Sequence, residues 1–153
     1  MASRPYNGPE IVRAIRGTIG GDLGKTAFAI LKNVVFGSPV GNPTLWKNPD
    51  SAPAGYVGGH FRRNWIVTIG GFSTGVIEGI DASGATTVAS GKAVIDRYAK
   101  MKRNIGVNLI IQNNVPYANR LAQGHSKRQA PAGWVDAAID AALIIPGGAK
   151  PLP

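Results

Sequence analysis

The sequence predicts an α+β domain: a small antiparallel or mixed β-sheet packed by a long N-terminal helix and shorter helices, with long loops and extended termini. Three observations predict it. Apolar residues recur at helical spacing early in the chain, at Ile11, Ile15, Ile19, Leu23, Ala27, Ile30 and Val34. Two stretches, Phe61–Gly70 and Asn104–Gln112, alternate with the two-residue period of a strand. Glycine and proline, 21 and 11 residues of 153, collect between these elements, at 37–60 and 146–153.

Residues 1–8 read as an extended arm. Pro9 suits the first helical position, and the apolar stripe predicts a helix over 9–36 lying along a sheet. Gly17, Gly20, Gly21 and Gly24 each cost about 1 kcal/mol relative to alanine in a helix interior, which predicts a kink or break near Gly20-Gly21. The 37–60 loop has no period. Loops of that length in small domains are usually functional, and its apolar anchors Val40, Leu45, Trp46 and Tyr56 suit contact with an adjacent protein. A strand follows over Phe61–Gly70, with Phe61, Arg63, Trp65 and Val67 on one face, and Trp65 in phase with the core. Gly70-Gly71 mark a turn, and Gly75–Ile80 read as a short second strand. Asp81 or Ser83 is placed to cap a turn before a helix over about Ser90–Met101. The strand Asn104–Gln112 turns at Asn113-Asn114 into a short helical turn, Pro116–Gln123. A polar loop then leads to a last helix over about Ala132–Ile144, which Pro146-Gly147-Gly148 stops before an extended tail. The whole reads as one domain, 1–153, without internal repeats.

This length suffices to bury a core, and 44% apolar residues is within the globular range. No apolar run approaches the roughly 20 residues needed to cross a bilayer, and MASRPYNGPE lacks the apolar stretch of a secretory signal, so the cytoplasm of the producing cell is the expected place of assembly. With no cysteine there is no disulfide, thiolate metal site or cysteine nucleophile. Lys and Arg number 17 against 8 Asp and Glu, a net charge of +9 that favours nucleic acid or an acidic protein surface as partner. The densest basic run is Lys92, Arg97, Lys100, Lys102 and Arg103.

Three patterns resemble catalytic motifs and fail on spacing or context. Gly20-Gly21-Asp22-Leu23-Gly24-Lys25-Thr26 approaches a phosphate-binding loop, but Gly20 leaves three residues before Gly-Lys-Thr where four are needed, and no strand precedes it. Gly71-Phe72-Ser73-Thr74-Gly75 fits G-x-S-x-G, with Asp81 or Asp96 and then His125 following in hydrolase order. That elbow must lead into a long helix, and VIEGIDASG is not one. His60 and His125 are isolated histidines without a nearby carboxylate, so no metal site is expected, and no cofactor either. Arg62, Arg63 and Trp65 interleave charge with an aromatic as single-strand binders do, yet no zinc finger, KH loop or RNP pair accompanies them.

Three ordered features resemble the tail-completion or neck protein family of long-tailed bacteriophages. The first is the long N-terminal helix ending in Ser38-Pro39-Val40. The second is the loop closing with Gly58-Gly59-His60-Phe61-Arg62-Arg63-Asn64-Trp65, similar to that family's "P-V-D-T-G…L-R…N-W". The third is Asn113-Asn114-Val115-Pro116-Tyr117-Ala118, then Leu121, Gly124-His125-Ser126, Gln129-Ala130-Pro131 and Gly133, similar to "N-n-x-P-Y-A-x-x-L-E-x-G-x-S…Q-A-P-x-G-x-V". Together they span about Ile11 to Leu143. The motif aspartate is absent, since Gly41 and Asn42 follow Val40 and the Trp46–Tyr56 insertion comes next. Ala122 and Gln123 stand where the motif has glutamate. Both changes remove negative charge.

The resemblance implies a non-enzymatic virion protein at the head–tail junction, forming a homo-oligomeric ring, a hexamer by implication. Such a ring completes the tail and joins it to the head-closure or connector protein. Its partners would be other copies of itself, the connector, and the tail terminator or tail tube, with DNA as passing cargo and no membrane. A tail terminator capping the tube is the nearest alternative, and a basic nucleic-acid-binding module is the reading that charge alone leaves open. The residues expected at interfaces are Trp46, Tyr56, His60, Arg62, Arg63, Asn113, Asn114, Tyr117, Arg120, His125, Lys127 and Arg128.

Overall fold

The computed structural model describes residues 8–104, 106–124 and 129–143, with side chains in the first helix from Asp22 onward. In chain order the elements are α1 (Gly8–Gly37), a loop with two short 3₁₀ turns (Pro43–Leu45 and Pro49–Ser51), α2 (His60–Arg63), β1 (Trp65–Ile69), α3 (Ala85–Ala99), β2 (Leu109–Asn113), α4 (Ala118–Ala122) and α5 (Trp134–Leu143). The fold is mixed α+β, built on a long N-terminal helix. β1 and β2 form a two-stranded antiparallel sheet in the register Trp65↔Asn113 to Ile69↔Leu109. α1 packs against both α3 and α5, and α3 also lies against β1. One core joins Leu31, Val34, Val35, Phe61, Trp65, Val67, Ile95, Val115, Ala130 and Trp134. No described helix is long and apolar enough to cross a membrane. The expected tail 146–153, and all of the expected arm except Gly8, lie outside the described residues.

α1 runs unbroken through Gly20-Gly21, so the predicted break is absent. Its buried stripe also differs from the predicted one. Gly24, Leu31, Val34, Val35 and Ser38 are buried, with Ala27, Phe28 and Ile30 half-buried, whereas Leu23 is 47% exposed. Two overlapping stripes with steps of three and four run along this helix. The one that faces inward brings Gly24 against Ala99 and Ile95 of α3, where a small residue permits close approach. Gly91 of α3 is tighter still: a Cβ there would run into Leu31 Cδ2 and come within 2.9 Å of Val67 Cγ2.

α3 begins at Ala85 rather than near Ser90, because Asp81 organises its first turn. The carboxylate accepts from the Gly84 and Thr87 amides at 2.9 and 2.7 Å and from the Ser83 and Thr87 hydroxyls at 3.1 and 2.8 Å. These bonds satisfy amides that a helix start leaves unpaired. α5 begins at Trp134, two residues after the predicted start, and Asn33 of α1 donates to its Ala138 carbonyl at 3.0 Å.

The strand predictions need three corrections. The segment His60–Arg63 is a helical turn, so β1 starts at Trp65, not at Phe61. Both periods bring Phe61 and Trp65 inward, which is why the alternation misled. β2 starts at Leu109, not Asn104, because the buried Tyr98 hydroxyl donates to the carbonyls of Asn104 and Val107 at 3.3 and 3.0 Å and holds that stretch as a turn. Residues 75–80 form no strand. The segment has no backbone ladder, and side-chain amides hold it instead. Gln112 pairs with the Ser73 amide and carbonyl at 3.0 and 2.7 Å, and Asn114 donates to the Ser73 and Gly75 carbonyls at 2.8 and 2.9 Å. Asn64 pairs with the Ile77 amide and carbonyl at 2.6 and 3.0 Å. The result is a strap pinned along its odd-numbered residues, while Phe72, Val76 and Ile80 stand exposed.

Candidate docking face

The three motif segments, separated by up to about ninety residues in sequence, meet in one block. Ser38, just after α1, donates to the Val34 carbonyl at 2.5 Å and accepts from Trp65 Nε1 at 2.7 Å. Arg62 donates to the carbonyls of Ala82, Ser38 and Phe36 at 2.5, 2.8 and 3.2 Å, tying the end of α1 to the start of α3. Burial lowers the pKa of its guanidinium from the ordinary value, opposed in part by the negative charge of Asp81. Asn113 donates to the Phe61 carbonyl at 2.9 Å and accepts from the Val115 amide at 3.3 Å. The Phe61 ring meets Trp65 and Trp134 edge-on at 5.9 and 6.1 Å and tilts against Tyr117 at 6.2 Å. Trp134 Nε1 donates to the Leu121 carbonyl at 3.2 Å, and Gln129 reaches the Asn42 carbonyl at 3.4 Å.

Over this block the 37–60 loop and α4 enclose an open cleft of about 530 Å³, lined by Pro39, Leu45, Trp46, Tyr56, His60, Phe61, Tyr117 and Leu121, among others. Trp46 and Tyr56 stack edge-to-face at 5.1 Å. Gly41 makes room for that pair, since a Cβ there would strike the Tyr56 hydroxyl. Gly59, at φ 119°, turns the chain out of the loop into α2 in a conformation that a side chain resists. His60 Nδ1 lies 2.8 Å from the Gly79 carbonyl, which only accepts, so Nδ1 carries the proton. Tyr56 and Tyr117 are each 39% exposed, and burial raises the Tyr117 phenol pKa above its ordinary value, helped by Tyr56. Lys47 lines the cleft, and no carboxylate does among the described residues.

The residues expected at interfaces therefore divide. Trp46, Tyr56, His60 and Tyr117 come together in the cleft. Arg120 is exposed on α4, three residues past Tyr117, and Arg63 is half-buried. Arg62, Asn113 and Asn114 are half-buried and brace the block: their polar atoms hold carbonyls and amides of α1, α2 and the strap. His125, Lys127 and Arg128 lie outside the described residues. Sequence reasoning missed Phe61, Leu121 and Lys47 as cleft residues. A loop returning onto an aromatic-rich turn is the only signal that could have marked them.

Ser73 sits in the strap rather than on a strand-to-helix elbow. Asp81 is engaged at the start of α3, and Asp96 pairs with Lys92 at 2.6 Å. The Gly20–Thr26 stretch lies inside α1, where helix geometry gives no phosphate-cradling loop. Comparisons with protein-family models, curated proteins and solved structures find no match for the chain.

Proposed function

We propose that the protein is a structural, non-enzymatic component of the bacteriophage neck. In this reading copies form a ring, with six-fold symmetry, that completes the tail and joins it to the head-closure complex. The observation that carries the reading is the convergence of the three neck-like motifs. Ser38–Val40, Gly58–Trp65 and Asn113–Gly133 interlock through Ser38–Trp65, Arg62–Ser38, Asn113–Phe61 and Phe61–Tyr117, and they frame an open aromatic cleft. A motif set of this kind reads as one structural unit rather than as scattered coincidences. A rigid base beneath exposed aromatic anchors is what a protein interface needs, because preorganised anchors lose little entropy on docking. The positive charge suits acidic surfaces of neighbouring rings.

Deletion of the gene in the phage that encodes it tests the reading. The expected result is DNA-filled heads and finished tails that stay separate in the lysate and join when the protein is supplied. Fully joined, infective particles without the protein would overturn it.

A further inference from the structure

The aromatic cleft leaves two apolar features unused, and they lie on opposite faces of β2. One is the strap. Phe72 is 81% exposed, with Val76 at 40% and Ile80 at 48%, although the strap's backbone is held by Asn64, Gln112 and Asn114. A largely exposed phenylalanine on a pinned segment is a preformed anchor. The other is a groove of about 460 Å³ between α1 and β2, lined mainly by Leu23, Ala27, Ile30, Val107, Leu109 and Ile111. Successive strand residues point to opposite faces. Gln112 therefore holds the strap on one face while Leu109 and Ile111 open the groove on the other, and a copy cannot fill its own groove with its own strap.

Charge matches the two features. No Lys or Arg occurs from Asn64 to Gly91, a stretch carrying Glu78 and Asp81 in a chain of net charge +9. The stretch Arg97–Arg103 holds four cations and no acid. Its Lys100, Lys102 and Arg103 are exposed and lie between Tyr98 and Asn104, which both line the groove.

We infer that the protein self-associates head to tail, with Phe72 of one copy seated in the α1–β2 groove of the next and Glu78 set against the basic rim. This deepens the ring reading above and rests on it for closure of the assembly. A contact between two different patches propagates, and it ends as a ring if the rotation closes. It also assigns a role to the basic run, which packing alone does not explain.

Two variants on exposed positions test the contact by sedimentation over a range of concentrations. Phe72→Ser removes the anchor, and Leu23→Glu places a charge at the groove mouth. The wild-type chain is expected to assemble beyond a dimer, and each variant alone to associate at least tenfold more weakly. Mixed in equal amounts, the variants retain one intact strap and one intact groove and are expected to form a dimer that grows no further. Charge reversal Glu78→Lys weakens assembly, and Lys102→Glu with Arg103→Glu restores it. Wild-type chain that stays monomeric up to about 1 mM, the weak end of specific affinity, overturns the contact. So does a Phe72→Ser chain that assembles like wild type, or a mixture that stays monomeric. The gene deletion tests separately whether the protein joins head to tail, so failure of this contact and failure of the neck reading are distinguishable.

Discussion

Arg62 donates to three carbonyls on two segments, Phe36 and Ser38 at the end of α1 and Ala82 before α3, and lysine cannot reproduce that fork. Hydrogen bonds from a charged donor contribute about 1.5–3 kcal/mol, so Arg62→Lys is expected to lose about 2 kcal/mol in chemical denaturation. An unchanged midpoint would show that the carbonyls are satisfied without it. Asp81 is the second residue on which the block depends. Burial alone would raise its pKa, but the Thr87 amide and hydroxyl, the Ser83 hydroxyl and the Gly84 amide outweigh burial and hold it below the ordinary value. The fold thus binds the ionised form better. Its contribution is complete above the ordinary carboxylate pKa of about 3.9 and is lost as pH falls from there through the folded value. Thermal midpoints of the wild type should fall in that acid window, and Asp81→Asn should flatten the profile there while lowering stability at neutral pH. At this scale the sequence was half legible. Asp81 was one of two capping candidates, with Ser83, whereas Arg62 looked like a surface cation because Phe61–Gly70 alternates like a strand. Only the helical turn at His60–Arg63 directs it beneath the loop.

Glycine separates two effects that sequence alone confuses. In a helix interior, glycine to alanine gains about 1 kcal/mol from propensity. At Gly24 the added methyl would meet Ala99 and Ile95 at 3.5 and 3.7 Å, ordinary contact distances, so Gly24→Ala should stabilise by up to about 1 kcal/mol. At Gly91 the methyl would collide with Leu31 and crowd Val67, and overpacking costs typically about 1–3 kcal/mol. Gly91→Ala should therefore be net destabilising, and denaturation of the pair shows opposite signs if α3 sits as close to α1 and β1 as described. Equal effects at both sites would contradict that packing. The element types were legible from period and caps, while three features depend on tertiary contacts. The inward stripe of α1 is chosen by its fit to α3. The late start of β2 follows from the Tyr98 hydroxyl, and the strap replaces a strand because Asn64, Gln112 and Asn114 supply side-chain amides where a ladder would be. Alternation in sequence cannot reveal which groups satisfy a backbone.

For the whole molecule, the governing feature is that distant segments with similar motif character close on one another beneath an aromatic cleft. Trp46, Tyr56, His60 and Tyr117 were each expected at interfaces, but their meeting in one cleft was not legible, because the 37–60 loop carries no period from which to place it. Charge is segregated too, between a cation-free stretch around the strap and the basic run that follows α3. The most direct measurement of the central claim is electron cryo-microscopy of the native phage particle at the head–tail junction. The account predicts a ring of copies of this fold between head-closure complex and tail, with the Tyr56–Tyr117 cleft against an adjacent protein. Junction density that leaves no place for this fold, in particles that are complete and infective, would contradict it.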